Sequence, residues 1–203
     1  MHLIHRGIVN KNYKENLHRS FKKSFQKGFG IETDIHLTKD KKFVCYHDFT
    51  LKRLYKKNIS IKNLSYKNLT NLTKKKNTII PLLSELLKLS KNKYYIFIEI
   101  KPSFTKKILR KLVNETKNFS KCVFISFKIQ NIYNLIKINK KIKVGLSFST
   151  VASIKSIVKK SKNKNINYLI LDKYFLNSKK IKEIKKIKFF YTIKNKKEFR
   201  KLK

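Results

Sequence analysis

Acidic side chains are scarce here. Eleven Asp and Glu stand against 52 Lys and Arg, a formal net charge of +41 over 203 residues. Arginine is scarce as well, and because it grips phosphate bidentately each one says more than any lysine. So large a positive charge suits a polyanion binder, on RNA or on an anionic membrane surface. Yet the lysines are spread evenly, with Ile and Asn also abundant, the trio that an A+T-rich coding sequence imposes on any fold. No RGG, RNP-like or zinc-knuckle pattern accompanies them, so no specific nucleic-acid partner is expected. Cys45 and Cys122 lie in apolar strand-like runs and are expected as buried thiols in a reducing compartment, not as a disulfide. No signal-peptide run follows Met1-His2-Leu3-Ile4-His5-Arg6. No stretch approaches the roughly 18 uncharged apolar residues of a spanning helix. The expectation is a cytoplasmic chain with one domain over 1–203 and a sizeable core.

What is present centres on Gly30 to Asp48. Ile31, Thr33, Ile35 and Leu37 alternate with Glu32, Asp34 and His36. Alternate side chains of a strand point to opposite faces, so one face is apolar and the other carries two carboxylates and an imidazole. Like charges about 7 Å apart repel strongly in a poor dielectric. A hard cation such as Mg²⁺ or Ca²⁺, bound through carboxylate oxygens, would relieve that repulsion. An edge strand showing a polar face to water is the plainer alternative. Thr38-Lys39-Asp40-Lys41-Lys42 has turn chemistry, and Phe43-Val44-Cys45-Tyr46 is a return strand leading into His47-Asp48. The return would bring His47 beside the carboxylates, an arrangement suited to hydrolysis of a phosphate ester.

The rest of the chain alternates strands with helices. Leu3 to Gly7 predicts a short buried strand with a His5-Arg6-Gly7 tip. Lys14 to Lys27 carries Leu17, Phe21 and Phe25 at helical spacing, and Gly28 stops the helix. Phe49 to Asn77 is polar, an insertion of irregular or short helical structure; with the hairpin it fills about 38–78. Ile79 to Leu89 predicts a helix with Pro81 near its first turn. Tyr94 to Pro102 is another alternating strand, placing Phe97, Glu99 and Lys101 on one face. Helices at 104–116, 129–138, 152–162 and 178–186 separate strands at 122–127, 142–148, 168–172 and 189–192. Lys197–Leu202 looks like the start of a last helix. Seven parallel-type strands, with polar residues at or near their C-terminal ends, predict a (β/α)8 barrel with its chemistry at one mouth. A doubly wound sheet is the runner-up, but it usually brings a glycine-rich phosphate loop, which this chain lacks.

These residues together resemble the glycerophosphodiester phosphodiesterase family, within the phosphatidylinositol phospholipase C-like phosphodiesterases. The match runs through His5-Arg6-Gly7, Glu15-Asn16, Gly30 to Asp40, His47-Asp48, Ile80 to Glu85 and Ile98 to Lys101, with weak continuation to Ser126-Phe127 and Tyr191-Thr192. No one motif is specific, but five in order are. The resemblance implies a (β/α)8 TIM barrel and metal-dependent hydrolysis of a small glycerophosphodiester to glycerol 3-phosphate and an alcohol. It matches Glu32, Asp34 and Glu99 to the ligands of one Ca²⁺ or Mg²⁺. His5 and His47 match an acid/base pair, and Arg6 and Lys101 match groups that hold phosphate. It also suggests the substrate's own glycerol hydroxyl as first nucleophile. His36 is expected inside the barrel without being a ligand, His2 and His18 at the surface, and Glu15 along the site. Asp172 ends a strand without a sequence partner.

There are departures from the pattern. Lys14 and Leu17 replace the proline and threonine that usually flank Glu15-Asn16, and Tyr191 precedes Thr192 where a tryptophan is usual. The closing eighth strand is missing, which leaves open a fragment, closure by dimerisation or by the N-terminus, or marginal stability; the oligomeric state is open too. Two rival readings use the same chain. One is a lysophospholipase D-like enzyme acting on anionic membranes. The other is an inactive basic barrel that binds RNA or membrane.

Overall fold

The structure is a computed structural model, and it describes residues 2–74, 78–193 and 198. Strand β1 (Leu3–His5) leads through helix α1 (His18–Gln26) to β2 (Gly30–Leu37), on which β3 (Phe43–Cys45) folds back antiparallel. Helices α2 (Lys52–Tyr55), α3 (Tyr66–Thr73) and α4 (Leu83–Ser90) precede β4 (Ile96–Ile100). Strict alternation follows: α5 (Lys106–Thr116), β5 (Cys122–Ser126), α6 (Ile129–Ile138), β6 (Val144–Phe148), α7 (Ile154–Ser161), β7 (Tyr168–Asp172), α8 (Lys179–Lys182) and β8 (Ile187–Tyr191). The seven parallel strands pair in the order β1-β2-β4-β5-β6-β7-β8. A doubly wound sheet would reverse that order midway. This is instead a nearly closed (β/α) barrel. Among the described residues no ladder joins β1 to β8, and the seam there is unsealed.

Each strand serves two cores. Its outward residues, such as Ile31 and Ile35 on β2, Ile96, Ile98 and Ile100 on β4, and Val144 and Leu146 on β6, pack with Phe21, Leu86, Leu109, Leu112, Leu135 and Ile157 of the helices. Inward residues Phe97, Val123, Ile125, Tyr168 and Ile170 fill the lumen with Phe189. The rings of Phe97 and Phe189 meet at 5.0 Å. The segment between β3 and α4, read as an insertion, makes a small core of its own around Tyr46, Leu51, Ile61 and Leu69.

Local departures from the predicted elements have local causes. The helix expected from Lys14 begins only at His18, because Asn16 is left-handed (φ 53°) and Leu17 is extended. It ends as expected at Gly28, where φ +78° allows the N–H groups of Gly28 and Phe29 to reach back to the carbonyls of Phe25 and Ser24. Pro81 lies just before α4, whose N-cap is Leu82. The helix expected at Ser178–Lys186 is a single turn. β1 is half-buried rather than buried, as is most of β8, since the two flank the seam. The helix expected at Lys197–Leu202 lies outside the described residues except for Glu198.

Candidate active site

The polar face of β2 does not look out on water. Glu32 is 9% exposed and Asp34 1%, and both point into the barrel because their neighbours Ile31, Thr33 and Ile35 pack outward. This removes the edge-strand alternative. Register brings the third carboxylate alongside: β4 is parallel to β2 with Asp34 opposite Glu99. One oxygen each from Glu32, Asp34 and Glu99 falls within a set no more than 4.8 Å across. Both Glu32 oxygens and Asp34 Oδ1 are buried with no hydrogen-bond partner. Burial, then Asp34 and Glu99, push the Glu32 carboxyl well above the usual range, and burial and Asp34 raise Glu99 too. Three clustered carboxylates with orphaned oxygens are a donor set that one hard divalent cation would satisfy.

Two cations border the cluster. Lys101 lies 2.8 Å from Glu99 Oε1 and 3.4 Å from Asp34 Oδ1. Burial works against its charge, but Glu99 and Asp34 outweigh burial and its pKa is raised. Arg6 stands 3.1 Å from Asp34 Oδ2 through Nε. That contact is an ion pair without hydrogen-bond alignment, so Arg6 Nε is left without a hydrogen-bond partner. Arg6 is itself left-handed (φ 57°), a costly conformation for a residue with a Cβ. It is held by its N–H donating to Glu32 O at 2.9 Å and by its carbonyl accepting from Asn16 N at 2.9 Å.

The two histidines come from different strands paired with β2, and both line the cavity. His5 follows from β1, opposite Glu32 in register, with Nε2 3.8 Å from Glu32 Oε2. Burial and then Arg6 lower its pKa to about 4, so its ring is neutral at pH 7. His47 arrives on the return from β3, where Tyr46 N–H donates to Asp34 O. Its Nδ1 is 2.6 Å from Asp48 Oδ1, and its carbonyl lies 3.1 Å from His36 Nε2. His36 is thus a buried support for the His47 backbone, as its expected non-ligand place implies. His2 and His18 are exposed. Glu15 borders the site, and Asp172 caps the turn after β7 by accepting from Tyr174 N.

Sequence reasoning gave no role to two residues that the fold draws in. Asn16 donates from Nδ2 to Asp34 Oδ2 at 3.0 Å and accepts from Thr33 Oγ1 at 2.9 Å, which fixes the Asp34 carboxylate. Arg53, from α2, bonds Glu15 Oε1 at 2.5 Å and Asp48 Oδ2 at 2.6 Å. Glu15 also meets Arg6 at 3.3 Å, so one guanidinium links the His5-Arg6 side of the mouth to His47. Its scarcity as an arginine was the signal, but it lay in a segment read as an insertion.

A sequence model of the Glycerophosphoryl diester phosphodiesterase family matches residues 5–200. The chain belongs to this family. A glycerophosphodiester phosphodiesterase from Caldanaerobacter subterraneus subsp. tengcongensis is 30% identical over 162 aligned residues, covering 72% of this chain and 65% of the relative. The chain therefore spans just under two thirds of that relative's length. Among solved structures, a glycerophosphodiester phosphodiesterase from Thermotoga maritima is 25% identical with a TM-score of 0.80, covering 98% of this chain and 88% of its own. An Oleispira antarctica phosphodiesterase, solved with the product sn-glycerol-3-phosphate, is 20% identical with a TM-score of 0.85, covering 98% and 87%. The latter likeness concerns the fold.

Proposed function

We propose that this chain hydrolyses small glycerophosphodiesters to glycerol 3-phosphate and an alcohol, in the cytoplasm and with one Ca²⁺ or Mg²⁺. The observation that carries the reading is the convergence of Glu32, Asp34 and Glu99, with orphaned oxygens, at a cavity that His5 and His47 line. Family membership and the glycerol 3-phosphate in the Oleispira antarctica relative support it. Glu32, Asp34 and Glu99 would hold the cation, which when bound would supply charge relief on the phosphoryl oxygens. Arg6 and Lys101 flank the same place and would hold the phosphate. His5, kept neutral by burial, would take the proton from the attacking hydroxyl. His47, oriented by Asp48, would pass a proton from Nε2 to the departing alkoxide, so that the P–O bond breaks without releasing a bare anion. The cyclic phosphate left by attack of the substrate's own glycerol hydroxyl would then be opened to glycerol 3-phosphate by water, His47 taking the water's proton and His5 returning its own to the ring oxygen. The test is release of glycerol 3-phosphate from glycerophosphocholine or glycerophosphoethanolamine, with and without EDTA. Turnover that survives chelation contradicts the metal role.

One observation favours a second reading. A cavity of about 1820 Å³ runs from His5, Glu32, Glu99 and Lys101 past Ile125 and Ile170 to Phe189 and Ile187 at the seam. Sites for drug-sized ligands span on the order of 300–1,000 Å³, so a glycerophosphodiester carrying an acyl chain would fit. Release of choline from lysophosphatidylcholine tests it.

A further inference from the structure

Among the described residues eight large apolar side chains are notably exposed, and five of them lie at one end of the barrel. Val9 (56% exposed) is in the β1–α1 segment, Phe127 (44%) between β5 and α6, Val151 (92%) between β6 and α7, and Tyr174 (71%) between β7 and α8. Phe49 (53%) sits on the return from β3, its ring edge-on to His36 at 4.9 Å. A β-to-α connection emerges at the C-terminal end of a parallel strand, so all four lie on the mouth face, three on the consecutive connections after β5, β6 and β7 and one after β1, across β8 and the seam. Val9 and Phe127 line the cavity that holds His5, Arg6 and Glu32. Scattered apolar residues need no explanation, but a ring of them around one opening does.

The charges on the same face are one-sided. Lys11, Lys14, Lys52 and Lys128 are exposed on these connections and on α2. The acids nearby are spent internally: Glu32 and Asp34 are buried, Glu15 and Asp48 are tied to Arg53, and Asp172 accepts from Tyr174 N. Lysine covers the helical sides too, so charge alone would choose no face; the apolar ring chooses this one.

We propose that the mouth of the barrel docks on an anionic lipid bilayer, with Val9, Phe49, Phe127, Val151 and Tyr174 entering the interface and the surrounding lysines meeting the headgroups. The inference rests on the phosphodiesterase reading only in that the docked face is the one that would admit substrate. A polar rim would be expected if the face met only water, and an RNA partner would give no reason for exposed Val151.

The test separates the two ideas. The 203-residue chain is sedimented with phosphatidylcholine vesicles with or without phosphatidylglycerol, while glycerophosphocholine turnover is followed in vesicle-free buffer. Wild type is expected on the anionic vesicles. Val151→Asp/Tyr174→Asp, neither of which lines the cavity, should bind about tenfold or more weakly with turnover and circular dichroism unchanged, whereas Val151→Trp should bind more tightly. Docking is overturned if anionic vesicles do not retain the wild type, or if both variants bind like wild type. It is equally overturned if single-stranded RNA displaces the vesicles and its own binding is indifferent to both variants. Loss of turnover in wild type with vesicle binding intact would instead strike at the phosphodiesterase reading.

Discussion

On β5, β6 and β7 the positions facing the barrel axis are mostly apolar: Val123, Ile125, Gly145, Tyr168 and Ile170 lie with Phe97 and Phe189, and Ser147, whose buried Oγ has no hydrogen-bond partner, is the polar exception. On β2, β4 and just beyond β4 the corresponding positions are Glu32, Asp34, Glu99 and Lys101, the first two buried and the last two half-buried, with both Glu32 oxygens and one of Asp34 left unpaired. The apolar side is stabilised by its own contacts. The charged side is destabilising in isolation, because burying like charges costs more than their neighbouring cations return. Apolar packing and the candidate site are thereby divided between two halves of one lumen, and the division can be tested from either half.

The sharpest break should come from Glu32→Ala. If the carboxylates hold a cation, glycerophosphodiester turnover should fall by about 10³-fold or more. The melting temperature measured in EDTA should stay level or rise, since an uncompensated buried charge is gone. A large drop in that temperature would mean Glu32 is structural. Phe97→Ala, one position below the cluster on β4, should do the reverse: about 3–5 kcal/mol of stability lost in urea unfolding. The protein that remains folded should turn over at a rate much closer to wild type.

Arg53→Ala should sit between the two. It touches no part of the lumen core, yet it holds Asp48 and Glu15. A loss of about 10–100-fold in kcat with little change in unfolding is expected, and Arg53→Lys should restore only part of it, because one ammonium cannot reproduce the fork. Equal effects on KM and kcat would speak against a positioning role.

The smallest effect concerns pH. Glu32 and Glu99 have raised pKa values in the fold, so the stability they contribute is present near and below the unfolded value of 4.5 and is lost as pH rises through the folded values. His5 and His36, lowered from 6.5 to about 4, act oppositely: their contribution is present above 6.5 and is lost as pH falls towards 4. A divalent cation answers only the first pair. Calorimetric scans with and without Mg²⁺ or Ca²⁺ should therefore show a larger rise in melting temperature at pH 8 than at pH 5. A rise independent of pH would place the ion elsewhere.

Much of this division was legible in the chain. Period-two alternation in Ile31 to Leu37 and Ile96 to Lys101 announced both the strands and the residues of their inner faces, and α6 came out at its predicted bounds. What escaped were features with no period. The non-helical path of Glu15 and Asn16 depends on a left-handed residue that is not glycine. The place of Arg53 depends on a connection of several short turns folding back over the mouth.

The sequence by itself determined the strand-helix rhythm, the hydrophobic sorting of each strand and the kinds of side chain brought to the mouth, because these follow from local geometry repeated along the chain. Only the tertiary structure decided that Asp34 stands opposite Glu99, that Asn16 and Lys101 share Asp34, and that one guanidinium spans Glu15 and Asp48. Those pairings join residues far apart in the chain. Their geometry is set by how neighbouring strands and loops pack around a nearly closed curve, which no local pattern encodes.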